Sequence, residues 1–245
     1  MADFTHLGRG IDAAVIGASG GLGGAFVRAL ARRPEVARVH AFARSGRLPE
    51  GAKIVPGALD LEDEASIAAA AGTIAGDLRL VIVATGLLHA ADQQPEKTWR
   101  DLDPAAFARA YAINATGPAL VAKHFLPLIP RQGPSIFAAL SARVGSISDN
   151  MTGGWYAYRA SKAALNQILK CLAIEEGRRR KELVVAGLQP GTVATALSAP
   201  FRTFIKDDAL FEPDASAAHL LEVLARLSPA ESGGLFDWQG THFAP

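Results

Sequence analysis

The feature that most constrains the fold is a short apolar run that leads into a cluster of glycines and then into a helical pattern. Residues 13–16 predict a buried strand, residues 17–24 are rich in glycine, and residues 25–33 have helical periodicity. Glycines let a backbone approach a pyrophosphate closely, and the start of a helix offers free N–H groups. An ordinary tight turn is the competing interpretation, but the context favours a phosphate-binding turn.

Strand and helix patterns alternate along the rest of the chain. Further strands are predicted over residues 36–42, 52–56, 80–84, 135–141, 183–188 and 235–238, and further helices from 60–61 through 71, over 104–128, from 158 towards 180 and over 215–227. The uninterrupted apolar run at 80–84 is typical of parallel strands that are buried on both faces. No linker, repeat or low-complexity segment is evident. The sequence therefore predicts the α/β class, with a Rossmann-type doubly wound parallel sheet in a single domain over residues 1–245.

Composition excludes several function classes. Apolar residues make up 49% of the 245 residues and charged residues 20%, as in a folded globule. The net charge of +1 gives no electrostatic case for a nucleic-acid or membrane partner. Cys171 is the single cysteine, which excludes an intrachain disulfide, and its apolar surroundings predict a buried thiol. No secretory signal or bilayer-length apolar run is evident, so we expect a cytoplasmic location.

Arg44 follows the second predicted strand, about 20 residues beyond the glycines, where a dinucleotide fold meets the adenosine ribose. An acidic side chain there would bind the ribose hydroxyls of NAD, whereas an arginine suits the 2′-phosphate of NADP. The sequence therefore favours NADP as the cofactor, with NAD as the alternative. Arg47 is placed to assist, although a solvated loop arginine is a fair competing interpretation for it.

Tyr158 and Lys162 are spaced to share one face of a helix. A phenol with an ordinary pKa of about 10 is a poor base at neutral pH, and a neighbouring ammonium group favours the phenolate and lowers that pKa. The pair therefore predicts general acid–base catalysis. A surface pair is the competing interpretation. Trp155 and Tyr156 just before it suit either a substrate pocket or core packing.

These motifs, taken in order, resemble the classical short-chain dehydrogenase/reductase family over essentially the whole chain. The Gly-x-x-x-Gly-x-Gly turn begins at Gly17, Tyr-x-x-x-Lys begins at Tyr158, a helix asparagine is Asn114, and Pro-Gly-x-Val-x-Thr spans residues 190–195. Residues 141–162 look most like the C-factor and Sniffer-type carbonyl reductases, in which a glycine pair also precedes the tyrosine.

The resemblance implies an NAD(P)-dependent oxidoreductase acting on a small-molecule carbonyl or alcohol, and a homo-oligomer, either a dimer or a tetramer. Tyr158 would protonate the carbonyl oxygen as hydride arrives from the nicotinamide. Lys162 would lower the phenol pKa and hold the nicotinamide ribose, and Asn114 would fix a water of the proton relay. The candidate cofactor-binding residues are Gly17, Ser19, Gly21, Leu22, Gly23, Arg44, Asp60, Leu61, Thr85, Gly86, Lys162, Pro190, Val193 and Thr195.

Two segments depart from the family pattern. The Asn-Ala-Gly that follows the fourth strand is here Ala84-Thr85-Gly86, so its asparagine is missing. The fifth strand normally ends in two serines of which the second is catalytic, but here the pair is Ser141-Ala142. Adjacent strand residues point to opposite faces, so Ser141 does not simply inherit the role.

We nevertheless expect Ser141 to supply the missing hydroxyl, because a bend over residues 142–145 would turn its side chain inward. Ser146 and Ser148 lie further along the loop. The segment 198–211 has no clear period, and we expect it to form a lid over the substrate.

Two other function classes were weighed. Residues 17–21 also fit the Gly-x-Ser-x-Gly elbow of hydrolases, but only one strand precedes Ser19, so the oxyanion loop of that fold has no source. The second is a nucleotide-bound regulator with weak or no turnover. Ala142 favours this alternative, whereas an intact Tyr158, Lys162 and Asn114 oppose it. The six histidines show no metal-ligand spacing, so no metal site is predicted.

Overall fold

The computed structural model describes residues 3–204 and 210–245. Its strands are β1 (Ile11–Ile16), β2 (Val36–Ala43), β3 (Ile54–Ala58), β4 (Leu78–Val83), β5 (Ser135–Leu140), β6 (Leu183–Gln189), β7 (Thr192–Val193), β8 (Leu210–Phe211) and β9 (Gly234–Asp237). Its α-helices are α1 (Gly21–Ala31), α2 (Glu64–Gly72), α3 (Pro104–Tyr111), α4 (Gly117–Phe125), α5 (Tyr156–Glu176) and α6 (Pro213–Arg226).

Seven parallel strands form one sheet in the order β3-β2-β1-β4-β5-β6-β9. The chain runs outward from β1 through β2 to β3 and then returns to the other side of β1, which places a topological switch point between β1 and β4. Ligands of doubly wound folds bind in the crevice outside the carboxyl ends of the strands at such a point. The predicted α/β, doubly wound parallel architecture is confirmed.

The sheet separates two hydrophobic cores, because alternate strand residues point to opposite faces. Along β1, Ala13 and Val15 pack into the core that contains the buried residues of α1 and α6. Ala14 and Ile16 pack into the core formed by residues of α2, α4 and α5. Every residue of β1 is buried, and so are five of the six in β4, all but Arg79. This double burial explains the continuous apolar runs in the sequence.

Several predicted boundaries were wrong for local reasons. The first helix begins at Gly21, because the glycines form its opening turn instead of preceding it. The third strand lies two residues later than predicted, at Ile54–Ala58. The helix that carries Tyr158 was predicted to run towards residue 180, but it ends at Glu176. Cys171, predicted to be buried, is exposed on that helix.

The helix predicted over residues 104–128 is interrupted by a π-helical turn over Ala112–Thr116, between α3 and α4. Single π-turns inside helices are often found at functional sites. The turn contains Asn114, so the interruption coincides with a candidate site residue.

The expected lid falls partly outside the described residues, which omit 205–209. Its described parts are a 3₁₀ segment over Ala199–Phe204 and strand β8, which pairs in parallel with β7 in a small separate sheet that the sequence did not predict. In the described residues, no helix combines the length and apolar character needed to cross a membrane.

Candidate active site

A cavity of about 730 Å³ opens at the carboxyl ends of the central strands. Pockets that bind small molecules and cofactors commonly have volumes of this order. The glycine turn before α1, the loop after β4, the loop after β5, the start of α5 and the loop after β6 all contribute to its wall. The candidate site residues that line it are Gly21, Leu22, Gly23, Thr85, Gly86, Ser141, Tyr158, Lys162, Pro190, Val193 and Thr195.

The glycine turn has no room for a side chain at Gly17, Gly21 or Gly23. Gly17 has a φ of +90°, a left-handed conformation that favours glycine. A β-carbon at Gly23 would clash with the Gly17 carbonyl oxygen, and one at Gly21 would lie 2.9 Å from the methyl group of Thr195. The helix N-cap is Gly20, which has no side chain to cap the first N–H groups. A phosphate therefore fits at this helix start, where bare N–H groups open onto the cavity.

Arg44 follows β2, the strand that pairs with β1, and forms an ion pair with Glu62. Its Nη1 is 3.5 Å from Glu62 Oε2, and the two side chains are 62% and 42% exposed. Arg47 forms a similar exposed pair with Glu50 at 3.9 Å. Exposed pairs of this kind contribute little free energy, so a 2′-phosphate would displace Glu62 at small cost. The role of Arg44 stays a prediction.

Four other cofactor candidates differ in their surroundings. Asp60 orders its own loop, accepting a hydrogen bond from the Glu62 amide at 3.1 Å. Leu61 is buried and packs against the start of α4, where a β-carbon at Gly117 would lie 2.9 Å from its own. Ser19 lines a neighbouring groove beside the glycine turn. Thr85 Oγ1 is buried and has no hydrogen-bond partner among the described residues, as expected of a group that awaits a ligand.

Tyr158 and Lys162 lie buried side by side on α5. Lys162 Nζ is 5.8 Å from the centroid of the Tyr158 ring and donates a hydrogen bond to the Leu140 carbonyl at 2.7 Å. Burial raises the pKa of Tyr158 to about 12 and lowers the pKa of Lys162 to about 7. The expected lowering of the phenol pKa by Lys162 is therefore not found, because burial of the phenol raises its pKa.

Asn114 ties three segments of the site together. Its Nδ2 donates to the Leu87 carbonyl at 2.8 Å and to Ser161 Oγ at 3.0 Å, and its Oδ1 accepts from the Leu87 amide at 2.7 Å. Ser161 Oγ in turn donates to the Tyr158 carbonyl at 2.8 Å. The sequence analysis missed Ser161, although a serine between Tyr158 and Lys162 on the same helix was a usable signal.

The loop after β4 and the lysine converge on the same point. A β-carbon at Gly86 would lie 3.7 Å from Lys162 Nζ and 3.8 Å from Asn114 Oδ1. Because residues 86, 114 and 162 lie on separate elements, only the family resemblance, and not their local pattern, predicted that they share one site.

Ser141 follows β5 and is buried. The expected bend is present as a 3₁₀ turn over Arg143–Gly145. The Ser141 hydroxyl, however, donates to Asn166 Oδ1 at 2.5 Å. Asn166 is two turns beyond Tyr158 on α5, about 12 Å along the helix axis. In this arrangement the Ser141 proton is not directed at Tyr158, and its role in catalysis stays a prediction.

The two loop serines that follow are used elsewhere. Ser146 Oγ accepts from the Asp149 amide at 3.2 Å, and Ser148 Oγ donates to the Pro245 carbonyl at 3.4 Å. Both interactions tie down the loop between β5 and α5 and do not reach the cavity.

Of the two aromatic residues that the sequence assigns to either a pocket or the core, Trp155 is half-buried and lines the cavity, whereas Tyr156 does not line it. Three further residues at the site were not singled out by the sequence analysis: His89 and Phe201, whose rings pack together at 5.7 Å, and Glu96, which contacts the start of α5. Phe201 lies in the segment that was predicted to form a lid, whereas nothing in the local sequence pattern marks His89 or Glu96.

Comparisons with known proteins show the family to which the chain belongs. The sequence profile described as short chain dehydrogenase matches residues 12–206. C-signal of Myxococcus xanthus is 38% identical over 141 residues, a match that spans 58% of this chain and 80% of C-signal.

Solved structures extend the likeness to the whole fold. The NADPH-bound carbonyl reductase from chicken fatty liver has a TM-score of 0.82 at 27% identity, covering 98% of this chain and 97% of that one. Carbonyl reductase Sniffer of D. melanogaster has a TM-score of 0.82 at 22% identity, covering 97% and 100%, which is a likeness of fold alone. The profile, the relative and the shared fold together show that the chain belongs to the short-chain dehydrogenase/reductase family, in its carbonyl reductase-like branch.

Proposed function

We propose that this chain is an NADP(H)-dependent oxidoreductase that interconverts a carbonyl and an alcohol by hydride transfer, with Tyr158 as its acid–base. The observation that carries the proposal is the buried pair of Tyr158 and Lys162 on the wall of the cavity onto which the glycine turn also opens. Its substrate is a small molecule. We also propose a cytoplasmic location and a homo-oligomeric state, as expected from the sequence and the family resemblance.

The choice of NADP as the cofactor rests on how its phosphates fit the residues of the site. The bare helix start at Gly21 suits a pyrophosphate, and the exposed guanidinium of Arg44 suits a 2′-phosphate, with NAD as the alternative. The similar carbonyl reductase from chicken fatty liver is NADPH-bound, which supports the choice. When bound, the nicotinamide supplies or accepts the hydride.

Tyr158 handles the proton in this mechanism. Because burial raises its pKa to about 12, the phenol keeps its proton at neutral pH. In reduction, the carbonyl carbon gains a hydride while the Tyr158 hydroxyl gives its proton to the carbonyl oxygen, so that an alcohol forms. Solvent then restores the proton of the phenolate. In alcohol oxidation, the same atoms move in the opposite direction.

Lys162 and Asn114 support the phenol. The charged form of Lys162 favours the phenolate that proton transfer leaves behind. Since burial lowers its pKa to about 7, the lysine carries a proton for part of the time at neutral pH. Asn114 fixes the loop at Leu87 against α5 through Ser161 and so holds the proton path in place.

Ser141 is proposed as the second donor to the substrate oxygen. Asn166 Nδ2 is buried and has no hydrogen-bond partner among the described residues. Rotating the Asn166 amide by half a turn would point this N–H group at Ser141 Oγ, which would then accept a hydrogen bond and have its own proton free for the cavity. Such an amide rotation is compatible with the same atomic positions.

The test is Tyr158→Phe, assayed by NADPH oxidation against a panel of aldehydes and ketones. Loss of the proton donor should lower kcat by about 10²–10⁴-fold and leave NADPH binding intact. The matched control is Tyr156→Phe, the same change two residues earlier at a tyrosine outside the cavity lining, which should keep full turnover. Undiminished reduction by a folded Tyr158→Phe protein would contradict the mechanism.

A second candidate function is a nucleotide-bound regulator with weak or no turnover. Ala142, where the family has its catalytic serine, favours it, and so does the engagement of Ser141 with Asn166. A relative that is named C-signal is consistent with such a role. Tight NADPH binding by a parent protein that turns over none of the carbonyl panel would favour this candidate.

A further inference from the structure

Aromatic rings form one side of the cavity beside Tyr158. The Trp155 ring lies 6.4 Å from the ring of Tyr158 and 5.1 Å from that of Phe201, and Phe201 lies 5.7 Å from His89. Trp155 and Phe201 are both half-buried and line the cavity. A continuous row of rings therefore runs from the loop after β4 to the proposed acid–base.

Both ends of this row are fixed by backbone contacts. The Trp155 amide donates to the Glu96 carbonyl at 2.6 Å, and Trp155 is the only non-glycine residue with a positive φ in the described part of the chain. At the other end, His89 Nε2 lies 3.3 Å from the Ala196 carbonyl and 3.2 Å from the Leu197 carbonyl. A proton on Nε2 makes His89 the donor, which holds the segment that carries Phe201. The ring faces are thus preorganised before any ligand binds.

The described charged side chains in the cavity lining are Arg143 and Lys162, and both have partners within the protein. Arg143 bonds Asp149 and Asp237, each at 3.3 Å, and Lys162 bonds the Leu140 carbonyl. Leu88, Val144, Leu197 and Pro200 add apolar surface to the lining, which also includes Ser198. A carboxylate or phosphate next to the substrate carbonyl would have to compete with Asp149 and Asp237 for Arg143, whereas an aromatic group meets rings that are already in place.

We propose that the pocket selects carbonyl compounds whose carbonyl bears a flat aromatic group, which packs against Trp155 and Phe201, and that His89 is a positioning residue that sets this selectivity by holding Phe201. The inference depends on the proposed reductase function and names its substrate class. Aromatic pairs contribute beyond the area they bury, because of their offset and edge-to-face geometry, whereas a saturated ring of the same size gains only from burial.

The experiment compares benzaldehyde with cyclohexanecarbaldehyde, which match in carbon count and differ in the flatness of the ring. The ratio of their kcat/KM values in the parent protein is the reference, so that intrinsic reactivity cancels between variants. Phe201→Leu, which keeps apolar bulk but removes a ring, should lower that ratio by about two- to tenfold. His89→Ala should lower it similarly, mainly through the KM of benzaldehyde, and His89→Gln, which keeps an N–H donor, should restore part of it.

Trp99→Leu is the matched control, because Trp99 is 62% exposed and lies outside the cavity lining, and it should leave the ratio unchanged. A ratio that Phe201→Leu and His89→Ala do not change, in proteins that still reduce both aldehydes, would overturn the aromatic selectivity but leave the reductase function standing.

If neither aldehyde is reduced, calorimetric titration with benzyl alcohol and cyclohexylmethanol decides the matter. Tighter binding of benzyl alcohol that Phe201→Leu abolishes would support the aromatic site and put the failure in the proposed chemistry. Equal or absent binding of the two alcohols would overturn the inference.

Discussion

Burial determines the chemistry of the two central side chains. Tyr158 and Lys162 are both largely buried in the wall of the cavity, so each favours its uncharged form. An isolated tyrosine–lysine pair at a surface would show the reverse, with the ammonium lowering the phenol pKa. The protein therefore holds a protonated phenol next to a lysine that titrates near neutrality, which suits proton donation followed by stabilisation of the phenolate.

The buried lysine predicts a specific dependence of stability on pH. Its folded pKa of about 7 lies below its ordinary value of 10.5. Between these values the unfolded chain keeps a proton that the folded chain has released, so the free energy of unfolding rises with pH, by up to about 1.4 kcal/mol per pH unit. Lys162→Met should remove this rise. Urea unfolding of the two proteins between pH 7 and 9.5 measures it.

The pH range stops at 9.5 because Tyr158 changes the free energy of unfolding in the opposite direction above pH 10. Its raised pKa means that the folded chain then keeps a proton that the unfolded chain loses, and stability falls. Parallel curves for the parent and Lys162→Met proteins below pH 9.5 would contradict the low lysine pKa.

Ser141 and Ala142 give a second prediction for individual residues. One preorganised donor to a developing oxyanion is worth about 10²–10³-fold in kcat. If Ser141 supplies it, Ser141→Ala should lose activity by about that factor on a reducible carbonyl, and Ala142→Ser should gain little. Steady-state kinetics on one substrate compares the pair. A neutral Ser141→Ala together with a large gain from Ala142→Ser would show that the native site lacks the donor, and would favour the regulator.

At the scale of elements, the start of α5 is held by a distant residue. The N-cap is Trp155, which provides no side-chain hydrogen bond. Glu96 takes that role from the loop before α3: its Oε2 accepts from the Ala157 amide at 3.2 Å, and its backbone carbonyl accepts from the Trp155 amide. Its other carboxylate oxygen is buried without a partner among the described residues. A carboxylate also complements the positive end of the helix dipole.

Glu96→Ala should therefore destabilise the protein by about 1–2 kcal/mol, as the loss of an N-cap does. Glu96→Gln keeps an acceptor oxygen for the Ala157 amide and should lose less. Chemical denaturation measures both, with Glu50→Ala, at an exposed glutamate, as the control. Equal losses for the alanine and glutamine variants would mean that the charge, and not the cap, holds the helix.

The interruption between α3 and α4 is the other element that matters for function. The apolar pattern of residues 104–128 would also fit one regular helix. The π-turn at Ala112–Thr116 instead carries the Asn114 side chain, whose amide reaches both Leu87 and Ser161. The π-turn thereby links the loop after β4 to α5.

At the scale of the whole molecule, cofactor binding should stabilise the entire fold. A ligand that binds only the folded state adds RT ln(1 + [L]/Kd), which is about 2.7 kcal/mol at a hundredfold excess over Kd. NADPH should therefore raise Tm more than NADH at equal concentration, if Arg44 recognises the 2′-phosphate. Arg44→Ala should shrink that difference, and added salt should shrink it in the parent.

Arg178→Ala, at an exposed arginine beyond the end of α5, is the control for lost positive charge. Thermal scans with both nucleotides make the comparison. Equal Tm shifts by NADPH and NADH in the parent protein would count against the preference for NADP.

The sequence by itself determined the layered fold and the location of its chemistry. Apolar runs that alternate with helical patterns could only be buried on both sides of a parallel sheet, and the glycines fixed where a phosphate could approach the backbone. Tyr158, Lys162 and Gly21 were found from such local patterns, and they do line one cavity. These features depend on neighbours within a few residues, which a sequence displays directly.

The tertiary structure alone decided what surrounds those residues. It sets the pKa values of Tyr158 and Lys162 through burial, engages Ser141 with Asn166, and brings Glu96 to the start of α5. Each of these effects depends either on a contact between distant elements or on the removal of a side chain from water. A local sequence pattern cannot show desolvation or long-range hydrogen bonds, because both exist only once the layers have packed.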